Sequence, residues 1–96
     1  MNSIGSRIKK IRQELSLSQE EFGKIFNTGK SYISAVENNK SQLSVESLVK
    51  LLVNHKVNIN YILAGIGQPF LPQPFEQVQD ELTQKVEEIL KQKGII

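Results

Sequence analysis

Apolar positions along this chain return every three or four residues, the spacing of one face of an α-helix. Ile4, Ile8, Ile11 and Leu15 form the first stripe and predict a helix over residues 3–15, with Ser3 or Ser6 available as its cap. Phe22, Ile25 and Phe26 form the second. Ser18-Gln19-Glu20-Glu21 opens it, a hydroxyl followed three residues later by a glutamate, which is the arrangement of a capping box. Asn27-Thr28-Gly29 then interrupts the pattern: Asn27 tolerates a left-handed backbone, Thr28 can cap a new helix and Gly29 accepts almost any geometry. A third helix follows, with Ile33 and Val36 on its inner side.

Ser44 is placed to cap a fourth helix, with Glu46 in its first turn and Leu48, Leu51, Leu52 and Val45 assigned to the inner face. Asn58 caps a short fifth helix over residues 59–64, which Gly65 stops. Residues 65–74 hold two glycines and all three prolines, so regular structure is expected to end there, with Phe70 and Leu71 able to fold back on the helices. A last helix is predicted over about residues 75–92. Phe75, Val78, Leu82, Val86, Ile89 and Leu90 line one side of it, and Gly94 ends it.

The third helix carries the first functional signal. Stepping round it from Ile33 puts Ser31, Ser34, Ala35 and Asn38 on the opposite face, with Lys30 at the leading end. Two helices joined by a short turn, the second offering small polar side chains outward, form a helix-turn-helix that presents its second helix to the major groove of DNA. Short amphipathic pairs also occur in helical domains that never meet nucleic acid. Charge favours the DNA reading: the net charge is +2, but residues 1–56 carry nine Lys/Arg against five Asp/Glu and residues 57–96 three against five. The first helix alone holds Arg7, Lys9, Lys10 and Arg12 against Glu14, and Arg7 and Lys10 are assigned to phosphate.

Composition removes other classes. At 96 residues the chain is one domain with an appendage, able to bury a modest core. It has no cysteine, so disulfides, thiolate zinc sites and cysteine nucleophiles are excluded. His55 stands without a ligand cluster, and no metal or cofactor is expected. The serines lack a His/Asp partner set, so no enzyme is expected. No apolar run reaches membrane-spanning length and no signal peptide is visible, so a soluble, cytoplasmic protein with no membrane partner is expected.

Four runs, in this order, carry a resemblance. They are I-G-S-R-I-K-K-I-R from Ile4, L-S-L-S-Q-E-E-F from Leu15, I-S-A-V-E-N-N-K from Ile33 and V-N-I-N-Y-I-L-A-G-I-G-Q-P-F from Val57. Residues 4–67 thereby resemble a lambda-repressor-like, Cro-type (XRE) helix-turn-helix domain. The resemblance implies an all-α fold with a five-helix DNA-binding domain over residues 1–67, to which the composition and apolar spacing of the remainder add a Pro/Gly-rich linker over 68–74 and an additional C-terminal amphipathic helix over 75–96. It implies that Gln19 binds a phosphate at the start of helix 2 and that Lys30, Ser31, Ser34 and Ala35 face base edges, flanked by Tyr32 on the sugar-phosphate. Asn38, Lys40 and Ser41 would hold the opposite phosphates through backbone amides and a charge, and Arg12 would pair with Glu37. Asn27 and Asn39 stand where glycine is usual, and Gly23 where alanine is usual. The reading face is short, so only Lys30 can reach a guanine O6 and N7 and DNA shape is expected to share in specificity.

The function expected on these grounds is a sequence-specific transcriptional regulator, a repressor that binds a palindromic operator in double-stranded DNA as a homodimer. Phe75, Val78, Leu82, Val86, Ile89 and Leu90 are assigned to dimerisation. The alternative is an antitoxin-type DNA-binding protein whose C-terminal segment binds a toxin or another regulatory protein.

Overall fold

The computed structural model describes residues 2–72 and 88–94. Its helices are α1 (Ile4–Glu14), α2 (Gln19–Ile25), α3 (Lys30–Glu37), α4 (Val45–His55) and α5 (Ile59–Ala64). Residues 88–92 are helical as well. Among the described residues the only β pairing is an isolated bridge between Val57 and Phe70, so the architecture is all-α.

The helices begin where side-chain oxygens meet their first N–H groups. Ser3 Oγ accepts from Ser6 N at 3.0 Å and Ser6 Oγ returns the contact to Ser3 N at 2.9 Å, so Ser3 is the cap of α1. Ser18 and Glu21 make the same reciprocal pair at α2. For α3 the expectation is corrected: Gly29, not Thr28, is the N-cap, and no side chain caps it.

Three helices end by one device. Ser16, Asn27 and Asn39 take left-handed backbone after α1, α2 and α3, with φ of 59°, 57° and 62°. In each case the next N–H reaches back to the third-last helical carbonyl: Leu17 to Arg12 at 3.2 Å, Thr28 to Gly23 at 2.9 Å and Lys40 to Ala35 at 2.8 Å. These are Schellman closures, which satisfy carbonyls that helix geometry leaves unpaired. Both asparagines were legible from residue type; Ser16 was not.

The core gathers Ile8 and Ile11 from α1, Phe22 from α2, Ile33 and Val36 from α3, Leu51 from α4, Val57, and Ile62 from α5. Phe26 meets Phe22 edge to face, with ring centroids 5.1 Å apart. The inner face of α4 is narrower than expected. Leu51 is buried and Leu48 half-buried, whereas Val45 and Leu52 turn outward with Val49 and Val53.

The stretch read as linker is partly structural. Leu71 N donates to Lys56 O at 2.8 Å, and Asn58 N to Pro69 O at 2.9 Å. Asn58 also donates from its side chain to Gln68 O at 2.9 Å while accepting from Asn60 N as the cap of α5. Residues through Leu71 are therefore stitched to the junction of α4 and α5, and Phe70 packs on the core. Phe75, Val78, Leu82 and Val86 lie outside the described residues; Ile89 and Leu90 lie in the helical stretch at 88–92.

Candidate nucleic-acid interface

The outer face of the α2–α3 pair is built from the turn outward. Gly23 lets the two helices close: a Cβ there would lie 2.7 Å from Thr28 O. That approach, with the left-handed Asn27, throws α3 across α2 and buries Ile33 and Val36. What remains outside is Lys30 and Ser31, both exposed, then Ser34 and Ala35, half-buried, then Asn38 and Lys40, exposed again. Ser41 is half-buried beside them, and Lys10 is exposed on α1. An open polar cleft lined by Arg12, Ser18, Gln19, Glu20 and Lys30 separates the leading ends of α2 and α3.

Glu37 anchors the far end of α3. Arg12 Nε donates to its Oε2 at 2.6 Å and Arg12 Nη2 to its Oε1 at 3.2 Å, so the two residues that the resemblance pairs are in direct contact. Gln19 Nε2 donates to the same Oε1 at 3.1 Å, and Arg12 Nη1 to Leu17 O at 3.0 Å. One carboxylate thus ties α1, the start of α2 and the end of α3 together. It also orients Gln19, whose amide keeps one N–H and its carbonyl for other partners.

Three assignments change. Arg7 is 8% exposed, and its guanidinium is committed to backbone carbonyls, with Nε on Ile62 O at 2.9 Å and Nη1 on Asn2 O at 2.9 Å. It closes the last turn of α5 from inside and is no phosphate ligand. Tyr32 donates its one hydroxyl proton to Gln42 O, so it braces the loop after α3 and has no donor left for a phosphate. The amides of Lys40 and Ser41 both donate to Ala35 O, at 2.8 and 3.3 Å. The Asn38 side chain beside them donates once to Ser34 O at 2.8 Å.

The side chain of Asn39 does more than let the chain turn. Its Oδ1 accepts from Gly5 N at 2.9 Å and its Nδ2 donates to Ser3 Oγ at 3.0 Å, clamping the exit of α3 to the entry of α1. No local signal announces a partner thirty-four residues away.

The Glu21 carboxyl is held below the usual carboxylate range, first by the backbone N–H of Ser18 and then by the Ser18 hydroxyl. A carboxylate with a lowered folded pKa stabilises above its unfolded value and loses that contribution as pH falls through the folded one. Glu21→Gln keeps a capping side chain but cannot titrate. The difference in thermal midpoint between wild type and E21Q should therefore be largest near neutrality and shrink on acidification. A difference that stays constant with pH would remove the charge from the cap.

Fold and face together define a helix-turn-helix unit. A helix-turn-helix family model matches residues 8–62. Among curated proteins, the antitoxin PezA of Streptococcus pneumoniae is 33% identical over 91 residues, which cover 95% of this chain and 54% of that protein. The chain spans about half the length of this relative. Among solved structures, a chain of a SinR protein–SinI protein complex matches with a TM-score of 0.55 and 28% identity, over 95% of this chain and 94% of that one. The chain belongs to the helix-turn-helix family, in its lambda-repressor-like, Cro-type (XRE) branch.

Proposed function

We propose that the chain is a sequence-specific repressor that binds a palindromic operator as a homodimer, with α3 in the major groove. The observation that supports this most directly is the outer face of α3, where Lys30 and Ser31 are exposed at the leading end while Ile33 and Val36 are sealed in the core. Lys30, Ser31, Ser34 and Ala35 meet base edges in this reading. Gln19 and Lys10 on one side, and Asn38, Lys40 and Ser41 on the other, meet phosphates. The segment over 75–92 pairs two chains, setting the recognition helices about 34–36 Å apart on one face of the duplex.

In vitro selection from a random DNA pool tests it, because the consensus reports both sequence and symmetry. The Lys30→Ala/Ser31→Ala double variant should fold with stability within about 0.5 kcal/mol of wild type, since exposed positions contribute little. It should nevertheless select a different consensus; an unchanged consensus would exclude α3 as the reader. Lys40→Ala should weaken binding to all sequences alike and reduce the slope of log affinity against log salt by roughly 1. Titration over a salt series decides this, and an unaltered slope removes Lys40 from the phosphate set.

A second reading is favoured by the relative named an antitoxin and by the likeness to a chain solved in a complex with another protein. Here the same DNA-binding face serves an antitoxin-type regulator whose C-terminal segment engages a protein partner. Co-purification of a second polypeptide with the full chain, lost when residues 73–96 are removed, separates this reading from self-pairing.

A further inference from the structure

Tyr32 reaches from one half of the candidate interface to the other. It stands in the first turn of α3, between exposed Ser31 and buried Ile33, with its side chain half-buried against the core. Its hydroxyl donates to Gln42 O, ten residues on, in the loop that joins α3 to α4. We infer that Tyr32 is a positioning residue for DNA binding, whose hydroxyl sets where Ser41 stands relative to the outer face of α3. This rests on the reading of α3 as the base reader and of the loop after it as a phosphate-binding element.

The loop is fastened at both ends and loosely held between them. At its start Lys40 N donates to Ala35 O at 2.8 Å, and the Asn39 side chain is clamped to Gly5 N and Ser3 Oγ. At its end Ser44 Oγ accepts from Ser47 N at 3.1 Å as the cap of α4. Ser41 N shares Ala35 O with Lys40 at the longer distance of 3.3 Å. Beyond it, among the described residues, the one hydrogen bond that holds Gln42 or Leu43 comes from Tyr32. Leu43 rests half-buried on the core, whereas Gln42 is exposed and has no such anchor.

Packing beneath this stretch is incomplete. A cleft of about 130 Å³ is bordered by Gln42, Leu43 and Leu48, and another of about 90 Å³ by Ser41, Gln42 and Val36. Ile4 and Ile8 line both. Residues 41–43 therefore border open space over α1, and where neighbouring atoms are missing their attraction is missing too. Tyr32 lines neither cleft and holds the stretch from α3. Ser41 Oγ has no hydrogen-bond partner among the described residues, so its proton is available to a phosphate. Because the brace starts on the helix that carries Lys30 and Ser31, it fixes the spacing between the base-reading and phosphate-holding groups. Phosphate contacts set register and orientation on a duplex, so that spacing matters to both.

Tyr32→Phe keeps the ring on the core and removes only the hydroxyl. It should unfold at nearly the wild-type temperature, because the bond it loses is exposed. In the free chain, backbone amide NMR signals should move most at Ser41, Gln42 and Leu43; changes confined to α3 would overturn the inference without reference to DNA. On an operator recovered by selection, Tyr32→Phe should lower affinity at least about threefold, roughly the worth of one hydrogen bond, and leave the consensus unchanged. Ser41→Ala should do the same. The Tyr32→Phe/Ser41→Ala chain should bind no more weakly than Ser41→Ala, since a brace has no effect once the group it places is gone. Losses that add would put Tyr32 itself on the DNA and overturn the inference. Wild-type affinity in either single variant would overturn it as well, while the salt slope of Lys40→Ala kept the DNA reading standing. Wild-type chain that binds no duplex at low salt would instead remove the DNA reading, and this inference with it.

Discussion

Replacing Arg12 by alanine should destabilise the chain by about 3 kcal/mol, the lower end of the ~3–5 kcal/mol lost when one partner of a buried ion pair is removed. The Glu37 side chain is 3% exposed and that of Arg12 12%, so solvent reaches one partner a little and the other hardly at all. Without Arg12, the carboxylate keeps the Gln19 amide at 3.1 Å, a neutral donor that cannot offset a full charge. Removing the arginine also leaves Leu17 O without its donor at 3.0 Å. For a domain with a total stability of about 5–15 kcal/mol, that loss is a large fraction. Urea unfolding measures it directly. Arg12→Met combined with Glu37→Leu should recover most of the stability, because apolar residues of similar volume replace a buried pair at little cost. The same double variant should still bind DNA weakly, since Gln19 would no longer be oriented by Glu37. Full binding in that variant would mean that Gln19 needs no such support.

Gly5→Ala should be harmful although the position is helical. In an exposed helix interior alanine is favoured over glycine by about 1 kcal/mol. At Gly5 a Cβ would lie 2.5 Å from Glu37 O, 2.6 Å from Val36 O and 2.8 Å from Asn39 Oδ1. Two of those atoms are backbone at the end of α3 and cannot rotate away. The third belongs to the side chain that accepts the Gly5 N–H. Overpacking costs about 1–3 kcal/mol, and parting α1 from α3 also weakens the clamp made by Asn39, so a net loss of about 2 kcal/mol is expected. Gly23→Ala, which would bring a Cβ to 2.7 Å from a single carbonyl with its next neighbours at 3.2 Å or more, should cost less. Thermal unfolding of the two variants ranks them. A Gly5→Ala protein as stable as wild type would show that the α1–α3 contact can relax.

Much of the domain is legible in the sequence alone. Helical stripes such as Ile8–Ile11 and Ile33–Val36 follow from the period of the backbone, and the Ser18–Glu21 cap follows from a hydroxyl and a carboxylate three residues apart. Asn27 and Asn39 were expected to turn left-handed because their short polar side chains tolerate it. The outward set on α3 was legible for the same reason: once Ile33 and Val36 are inside, the geometry of one helix places the others.

Tertiary structure decided the questions that depend on what lies opposite. Arg7 and Lys10 are cations on one helix, yet Arg7 faces the last carbonyls of α5, fifty-five residues on, and Lys10 faces water. Leu51 and Leu52 are the same side chain one step apart, and only the position of the neighbouring helices makes the first core and the second surface. The amides of Lys40 and Ser41, expected at phosphate, both donate instead to Ala35 O in the last turn of α3. Local chemistry states what a residue is able to do. Which of its partners it keeps is set by groups distant in sequence, since a buried donor or acceptor takes whatever complementary atom the fold brings within about 3 Å.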